Sequence, residues 1–182
     1  TTIAPNAIRD APNLQTVFIP QNTESISPDS FINCKNLTTI NVAPHNTVYS
    51  SLDGVLFNKG RSNLLVFPTA RSGYYTIPNT VSSIADKAFY NCTNLLGITL
   101  GDRVTDIGSG AFSGSSNLKY LNLGKSLSTI QSFAFGSCDS LESIIFPSSI
   151  QDIQSSAFAG CTNLQEIYFY GTPPPHIFSF YG

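Results

Sequence analysis

The 182-residue chain contains no methionine and no tryptophan, and only 11% of its residues are Asp, Glu, Lys or Arg. That charged share is less than half of the usual one, and the formal net charge is only −2. Nucleic acid is therefore not expected as a partner, because nothing supplies the basic patch it requires. Long apolar runs are missing too. Runs such as residues 64–67 and 143–146 are far too short to cross a membrane, so we expect no membrane insertion by this chain.

No signal peptide of basic and apolar residues opens the chain, which starts at Thr1. We therefore expect a mature or excised fragment of a longer protein. The 41% share of apolar residues is enough for one domain with a real core, and we predict a single domain over residues 1–182.

A repeat of 23 residues explains the otherwise uneven spacing of the apolar residues. The pair Ala-Phe recurs at this step, and six further columns keep the same register. The clearest columns are Ala88-Phe89, Ala111-Phe112, Ala134-Phe135 and Ala157-Phe158; Cys92, Ser115, Cys138 and Cys161; Leu95, Leu118, Leu141 and Leu164; and Ile84, Ile107, Ile130 and Ile153. Copies around Phe31 and, more weakly, Ile8 bring the total to six. Such a period indicates a solenoid with one supersecondary unit per coil.

Each unit carries a strand signature. The segment "NLKYLNL" at residues 117–123 has the spacing Leu-x-x-Leu-x-Leu, typical of the strand of a leucine-rich repeat. Alternation directs Leu121 and Leu123 inward and leaves Tyr120 and Asn122 outward. The Ala-Phe-x-x-Cys part is too short for an independent helix, so we expect a turn or two of helix or 3₁₀ there. The predicted fold is an α/β repeat: a leucine-rich-repeat solenoid of about six to seven coils, with a parallel sheet on one face and short helices or 3₁₀ turns on the other.

One irregular unit interrupts the repeat over about residues 43–76. Val42 and Ile77 are 35 residues apart, which is one repeat plus twelve residues. A turn pair at Asp53-Gly54, apolar runs at 55–57 and 64–67, and a polar turn between them predict a β-hairpin. We expect this insertion to replace the helical side of one coil and to pair with the solenoid edge or project from it. Its free edge could recruit a second chain, and the sequence leaves the oligomeric state open.

The sequence offers no constellation for catalysis or metal binding. The cysteines share one repeat column, which predicts a stack of buried, reduced thiols. A disulfide between Cys138 and Cys161 is the less favoured alternative, because neighbouring strands stack ~4.8 Å apart but side chains in register point in parallel. His45 and His176 are remote from the cysteines and are expected in turns or loops, so we expect no zinc site. We predict no catalytic residues, no cofactor and no metal.

The outward side chains of the predicted strands, called here the strand face, form the candidate binding surface. Its predicted members are Phe18, Thr39, Asn41, Thr99, Tyr120, Asn122, Ser143, Ile145, Glu166, Tyr168 and Tyr170. This row is nearly uncharged and contains exposed aromatic residues, a composition typical of protein-contact patches. The alternative is that strands favour Tyr, Thr and Ile even where nothing binds.

The repeat resembles the BspA-like class of leucine-rich repeats, best seen in "IPNTVSSIADKAFYNCTNLLGITL". The stretch "NTVYSSLDGVLFNK", followed by "LLVFP" and "YYTIPNTV", is similar to the irregular unit of that family. The ending "IYFYGTPPPHI" is similar to its exit from the last repeat, here about residues 170–182. The chain departs from the pattern at Ile8, Ser30 and Ser115, which replace Phe, Ala and Cys.

The resemblance implies a secreted or surface protein, since family members occur mostly outside the cells of host-associated bacteria and of some protist parasites, and several are taken to be adhesins. We therefore predict a non-enzymatic protein-binding module of an extracellular or cell-surface adhesin-like protein. Its strand face would contact host matrix or cell-surface proteins. The alternatives are an architectural spacer without a ligand, a glycan-binding module and, from another class, a β-helix enzyme such as a polysaccharide lyase. The sequence lacks the row of acidic and basic residues that a β-helix enzyme would need.

Overall fold

A computed structural model describes residues 1–174 as a solenoid of strands and turns. Seven strands belong to the strand face: β2 (Thr16–Ile19), β4 (Thr39–Val42), β8 (Gly73–Thr76), β10 (Leu95–Thr99), β12 (Tyr120–Asn122), β14 (Ser143–Phe146) and β16 (Glu166–Phe169). Six two-residue strands belong to a second row: β1 (Thr2–Ile3), β3 (Ser25–Ile26), β9 (Ser83–Ile84), β11 (Asp106–Ile107), β13 (Thr129–Ile130) and β15 (Asp152–Ile153). The insertion supplies β5 (Tyr49–Leu52), β6 (Val55–Asn58) and β7 (Asn63–Val66).

The seven strands that carry the strand face form a parallel sheet in three pieces. Strands β2 and β4 pair, β10 lies between β8 and β12, and β14 pairs with β16. Partners in the regular coils are 23 residues apart, as in Ile98 opposite Leu121 and Ile144 opposite Ile167. Within residues 1–174 no strand ladder joins β12 to β14. The predicted parallel sheet is therefore present, with a seam between these two strands.

The second row forms a narrow parallel sheet on another side of each coil. Ile107 is paired with Ile84 and Ile130, and Ile130 with Ile153, so the isoleucine column of the repeat is a column of paired strand residues. All four isoleucines are almost completely buried. The register of the sequence repeat is thus the hydrogen-bonding register of this sheet.

The third side of the coils consists of turns. In the part of the chain that the structure describes, the only helix is a 3₁₀ helix at Pro28–Phe31, although we expected short helical segments in every coil. Residues with positive φ explain the difference: Lys87 and Asn91, both at φ 57, enclose the Ala-Phe turn of their coil and stop the helical bonds from propagating. Asp29, the counterpart of Lys87, has no positive φ, and its coil forms the helix.

A ladder of stacked phenylalanine rings fills the core. Ring centroids of successive residues are 4.7, 4.6, 5.0 and 5.2 Å apart, in the order Phe67, Phe89, Phe112, Phe135 and Phe158. The repeated Phe column accounts for four of the rings, and Phe67 at the end of the insertion extends the ladder by one. Offset stacking of this kind adds ~0.5–1.5 kcal/mol per pair beyond the burial of apolar area.

The insertion is an internal wall of the solenoid. Its hairpin of β6 and β7 is confirmed, and β5 adds a third antiparallel strand. Val55 and Phe57 pack into the large core cluster of the C-terminal coils, whereas Leu56 packs into the cluster of the N-terminal coils. Strand β7 pairs with β9 and joins the second row. The hairpin therefore does not project from the solenoid, because both of its faces are covered by core.

A buried asparagine holds the start of the insertion in place. The amide nitrogen of Asn46 donates to the carbonyl oxygens of Pro20 and Thr23, at 2.9 and 3.0 Å. Its side-chain oxygen accepts from the backbone N–H groups of Val48 and Tyr49, at 2.9 and 2.7 Å. Asn46 is fully buried, and these four bonds satisfy its amide completely.

The four cysteines are free thiols in the structure; Cys34, Cys92 and Cys138 are buried, whereas Cys161 is half-buried. Each thiol donates to a carbonyl oxygen of the preceding coil, as in Cys138 to Phe112 at 3.3 Å and Cys161 to Phe135 at 3.0 Å. Burial raises the pKa of the Cys92 thiol. The neighbouring Cys161 thiol and burial together raise the pKa of Cys138.

Candidate binding surface

The predicted residues of the strand face lie together on one side of the solenoid. Ten of them are exposed, and Thr39 is half-buried. Strand pairing places Phe18 beside Asn41, Thr99 beside Asn122 and Ile145 beside Tyr168. Tyr170 follows β16 directly and is 79% exposed.

Tyr74 is an aromatic residue of this surface that we did not predict. It is 69% exposed, and its ring centroid lies 5.7 Å from that of Tyr120. The two rings meet over Gly97, where an added Cβ would come within 2.6 Å of the Tyr74 ring. The signal was present in the sequence, because Tyr74, Gly97 and Tyr120 are spaced by 23 residues. We missed it since Tyr74 stands at the end of the irregular unit.

Two shallow depressions open along the seam between β12 and β14. One, of about 260 Å³, is lined by Tyr74, Tyr120 and Ser143 among others. The other, of about 320 Å³, is lined by Leu121, Ile145 and Tyr170 among others. Leu121 is only half-buried, because the two strands do not close over it. The aromatic residues therefore border two concave depressions rather than a flat sheet surface.

Charged residues are few on this surface, and Lys119 lines the depression beside Tyr120. Lys119 and Glu142, one residue before the outward positions of β12 and β14, form an ion pair of 2.7 Å. The pKa of Lys119 lies above its ordinary value because its ammonium donates a hydrogen bond to Glu142. Glu166 is the one charged residue among the predicted members of the strand face.

The insertion separates Phe18 from the other aromatic residues of the strand face. The Asp53-Gly54 turn takes the place of a regular strand beside β4, where the Ile40 N–H donates to the Gly54 carbonyl at 2.8 Å. Behind it, the Arg71 guanidinium lies 5.2 Å from the ring centroid of Phe67 and 5.7 Å from that of Tyr75. Burial raises the pKa of Tyr75 to about 12, although Arg71 partly opposes this shift. The larger part of the strand face thus runs from Tyr74 onward.

Residues 1–174 contain no group of three or more His, Cys, Asp or Glu side chains close enough to hold a metal ion. His45 lies in an exposed turn before β5. His176 lies outside the described residues. No helix within residues 1–174 has the length and hydrophobicity required to cross a membrane.

Comparison with known families matches the profile of the BspA type leucine rich repeat region in six copies, at residues 1–64 and 66–173. The chain belongs to the BspA-type leucine-rich-repeat family. Leucine-rich-repeat families are generally repeat scaffolds without enzymatic activity. A comparison with curated protein sequences gives no significant match.

Solved structures of bacterial proteins share the fold of this BspA-type chain. The pneumococcal vaccine antigen PcpA is 25% identical, with a TM-score of 0.82 over 86% of this chain and 39% of that one. A leucine-rich cell-surface protein from Faecalibacterium prausnitzii is 26% identical, with a TM-score of 0.76 over 92% of this chain and 53% of that one. A leucine-rich-repeat protein from Bacteroides ovatus is 26% identical, with a TM-score of 0.65 over 92% and 40%. The chain spans about half or less of the length of these structures.

Proposed function

We propose that this chain is a non-enzymatic protein-binding module of a secreted or cell-surface, adhesin-like protein. In this account the strand face contacts a host matrix or cell-surface protein. The observation that carries the proposal is the row of exposed aromatic and apolar residues from Tyr74 through Tyr120 and Ile145 to Tyr168 and Tyr170.

These side chains are not needed for the core, since the inward column of each strand already closes the solenoid. Aromatic residues beside depressions are the usual anchors of protein interfaces, and an uncharged centre with charge at the margin is the usual composition. The pairing of Tyr74 with Tyr120 over Gly97 offers a rigid platform at low entropic cost.

The proposed location of this chain outside the cell is supported by the descriptions of two similar structures. One is a pneumococcal vaccine antigen and another a leucine-rich cell-surface protein. We extend that location to this chain as part of the proposal.

A solid-phase screen of the purified chain against immobilised matrix and plasma proteins tests the proposal. We expect saturable binding to at least one protein, and at least about tenfold weaker binding by the Tyr120→Ala, Tyr168→Ala double variant, because truncating interface anchors costs ~2 kcal/mol or more. Phe133→Ala is the matched control: this ring is 52% exposed, close to the 54% and 53% of the two tyrosines, but lies on the turn side.

Thermal unfolding of each variant checks that the fold is intact, since exposed substitutions change stability by only ~0.5 kcal/mol. Equal binding by wild type and double variant would place the contact elsewhere. An absence of binding across the panel would contradict the proposal and favour the architectural spacer.

A further inference from the structure

A polar cleft of about 450 Å³ lies on the turn side, at the level of the insertion. Its walls are turns of two coils that are far apart in sequence, with Asn33 and Lys35 on one side and Asn91 and Asn94 on the other. Thr69, from the segment that leaves the insertion, closes the cleft between them. Its hydroxyl donates to the Cys34 carbonyl at 2.5 Å.

The cleft exists because the insertion interrupts the regular stacking of turns. In the regular coils a backbone bond joins each turn to the next, as from Asn91 N–H to Ser113 O at 2.9 Å and from Ser137 N–H to Ala159 O at 2.7 Å. Asn33 holds the same position in its coil, but within residues 1–174 its N–H makes no such bond.

Side chains, rather than backbone hydrogen bonds, join the two walls of the cleft. The Asn91 amide donates to the Asn33 side-chain oxygen at 3.4 Å. Nearby, Lys87 and Asp29 form an ion pair of 3.0 Å across the same junction. The residues of each pair are 58 positions apart in sequence, whereas side-chain hydrogen bonds between regular coils join residues such as Ser132 and Gln154, 22 apart, or Cys138 and Phe112, 26 apart. The walls are thus fixed in position while the space between their main chains stays open.

The groups that remain available in the cleft have a definite chemistry. Lys35 is exposed and makes no ion pair with any residue in the described range 1–174. The side chains of Asn94 and Thr93 make no hydrogen bond within that range either. Together with the Asn33 N–H they offer one unpaired positive charge, an amide, a hydroxyl and a backbone donor.

We infer that this cleft binds an acidic sugar unit, a monosaccharide that carries a carboxylate. Lys35 and the Asn33 N–H suit the carboxylate, because charge-assisted hydrogen bonds are the stronger ones. The amides and hydroxyls of Asn91, Asn94 and Thr93 can each donate to and accept from sugar hydroxyls. No aromatic ring lines the cleft in the described residues, so the sugar would be held at its edge by hydrogen bonds. The volume lies within the ~300–1,000 Å³ of ligand pockets.

Isothermal titration of the purified chain with sodium D-glucuronate, D-glucose and sodium acetate, at matched ionic strength, tests the inference. We expect saturable binding of glucuronate, and at least about tenfold weaker binding of glucose and acetate. Lys35→Gln is expected to weaken glucuronate binding to the level of glucose, and Asn94→Leu, which fills the cleft with an apolar side chain, to abolish it. Lys125→Gln is the control for loss of a surface charge, because Lys125 is an exposed cation elsewhere, where it pairs with Asp102 at 2.8 Å.

Three results would overturn the inference: no saturable glucuronate binding by the folded chain, equal binding of acetate or glucose, or unchanged binding by Lys35→Gln. Unfolding curves for each variant separate loss of the site from loss of the fold. The strand-face variant Tyr120→Ala should bind glucuronate normally, so the outcome is independent of the proposed protein-binding function.

Discussion

The cysteine column shows what a single residue does in each coil. Cys92, Cys138 and Cys161 donate to the carbonyl of the phenylalanine one coil earlier, and Ser115 makes the same contact through its hydroxyl, at 2.8 Å from Phe89 O. The departure from Cys at Ser115 is therefore conservative in function. The position requires a small donor that fits against the neighbouring coil rather than sulfur itself.

The buried Cys92 thiol predicts a loss of stability at alkaline pH. Burial raises its pKa in the folded state above the value of 9.0 for a free thiol. Above pH 9 the unfolded chain loses the Cys92 proton while the folded chain retains it. The contribution of Cys92 to the stability of the fold is therefore present below pH 9 and declines as the pH rises further. We expect the Tm to fall between pH 8 and 10, and to fall less in Cys92→Ser, whose hydroxyl does not ionise there. Thermal unfolding across this pH range is the measurement, and parallel curves for the two proteins would contradict the expectation.

At the scale of elements, the insertion is the part that the sequence predicts least completely. The Asp53-Gly54 turn and two apolar runs correctly predict a hairpin. The run Val55, Leu56, Phe57 indicates a strand buried on both faces, but it does not say by what. Only the folded chain shows one face against the N-terminal core and the other against the C-terminal core.

Asn46 predicts how strongly the insertion depends on its first turn. In Asn46→Ala two buried backbone donors, at Val48 and Tyr49, lose their acceptor, and each unsatisfied buried group costs ~1–3 kcal/mol. We expect a loss of at least about 2 kcal/mol in the free energy of unfolding, measured in urea. Asn79→Ala, at an exposed turn, should change it by less than ~0.5 kcal/mol. Similar values for both variants would show that the buried network does not stabilise the insertion.

For the whole molecule, the solenoid could be predicted from sequence because its register is periodic: the Ala-Phe step and the isoleucine column recur as ring stacking and strand pairing. The turns that replace the expected helices could not be predicted, because neither Lys87 nor Phe133 is a residue type whose presence indicates a positive φ. Most of the strand face was predictable by alternation. The seam beside Tyr120 was not, because neither β12 nor β14 carries a residue that excludes pairing.

The claim that the strand face is the protein-binding surface is tested most directly by amide hydrogen–deuterium exchange with and without the partner found in the screen. We predict slower exchange in the partner's presence along residues 73–76, 95–99, 120–122, 143–146 and 166–169, and most clearly at the seam, where β12 and β14 have no ladder between them. Slower exchange confined to the turns at residues 109–114, 132–137 and 155–160 would contradict the account.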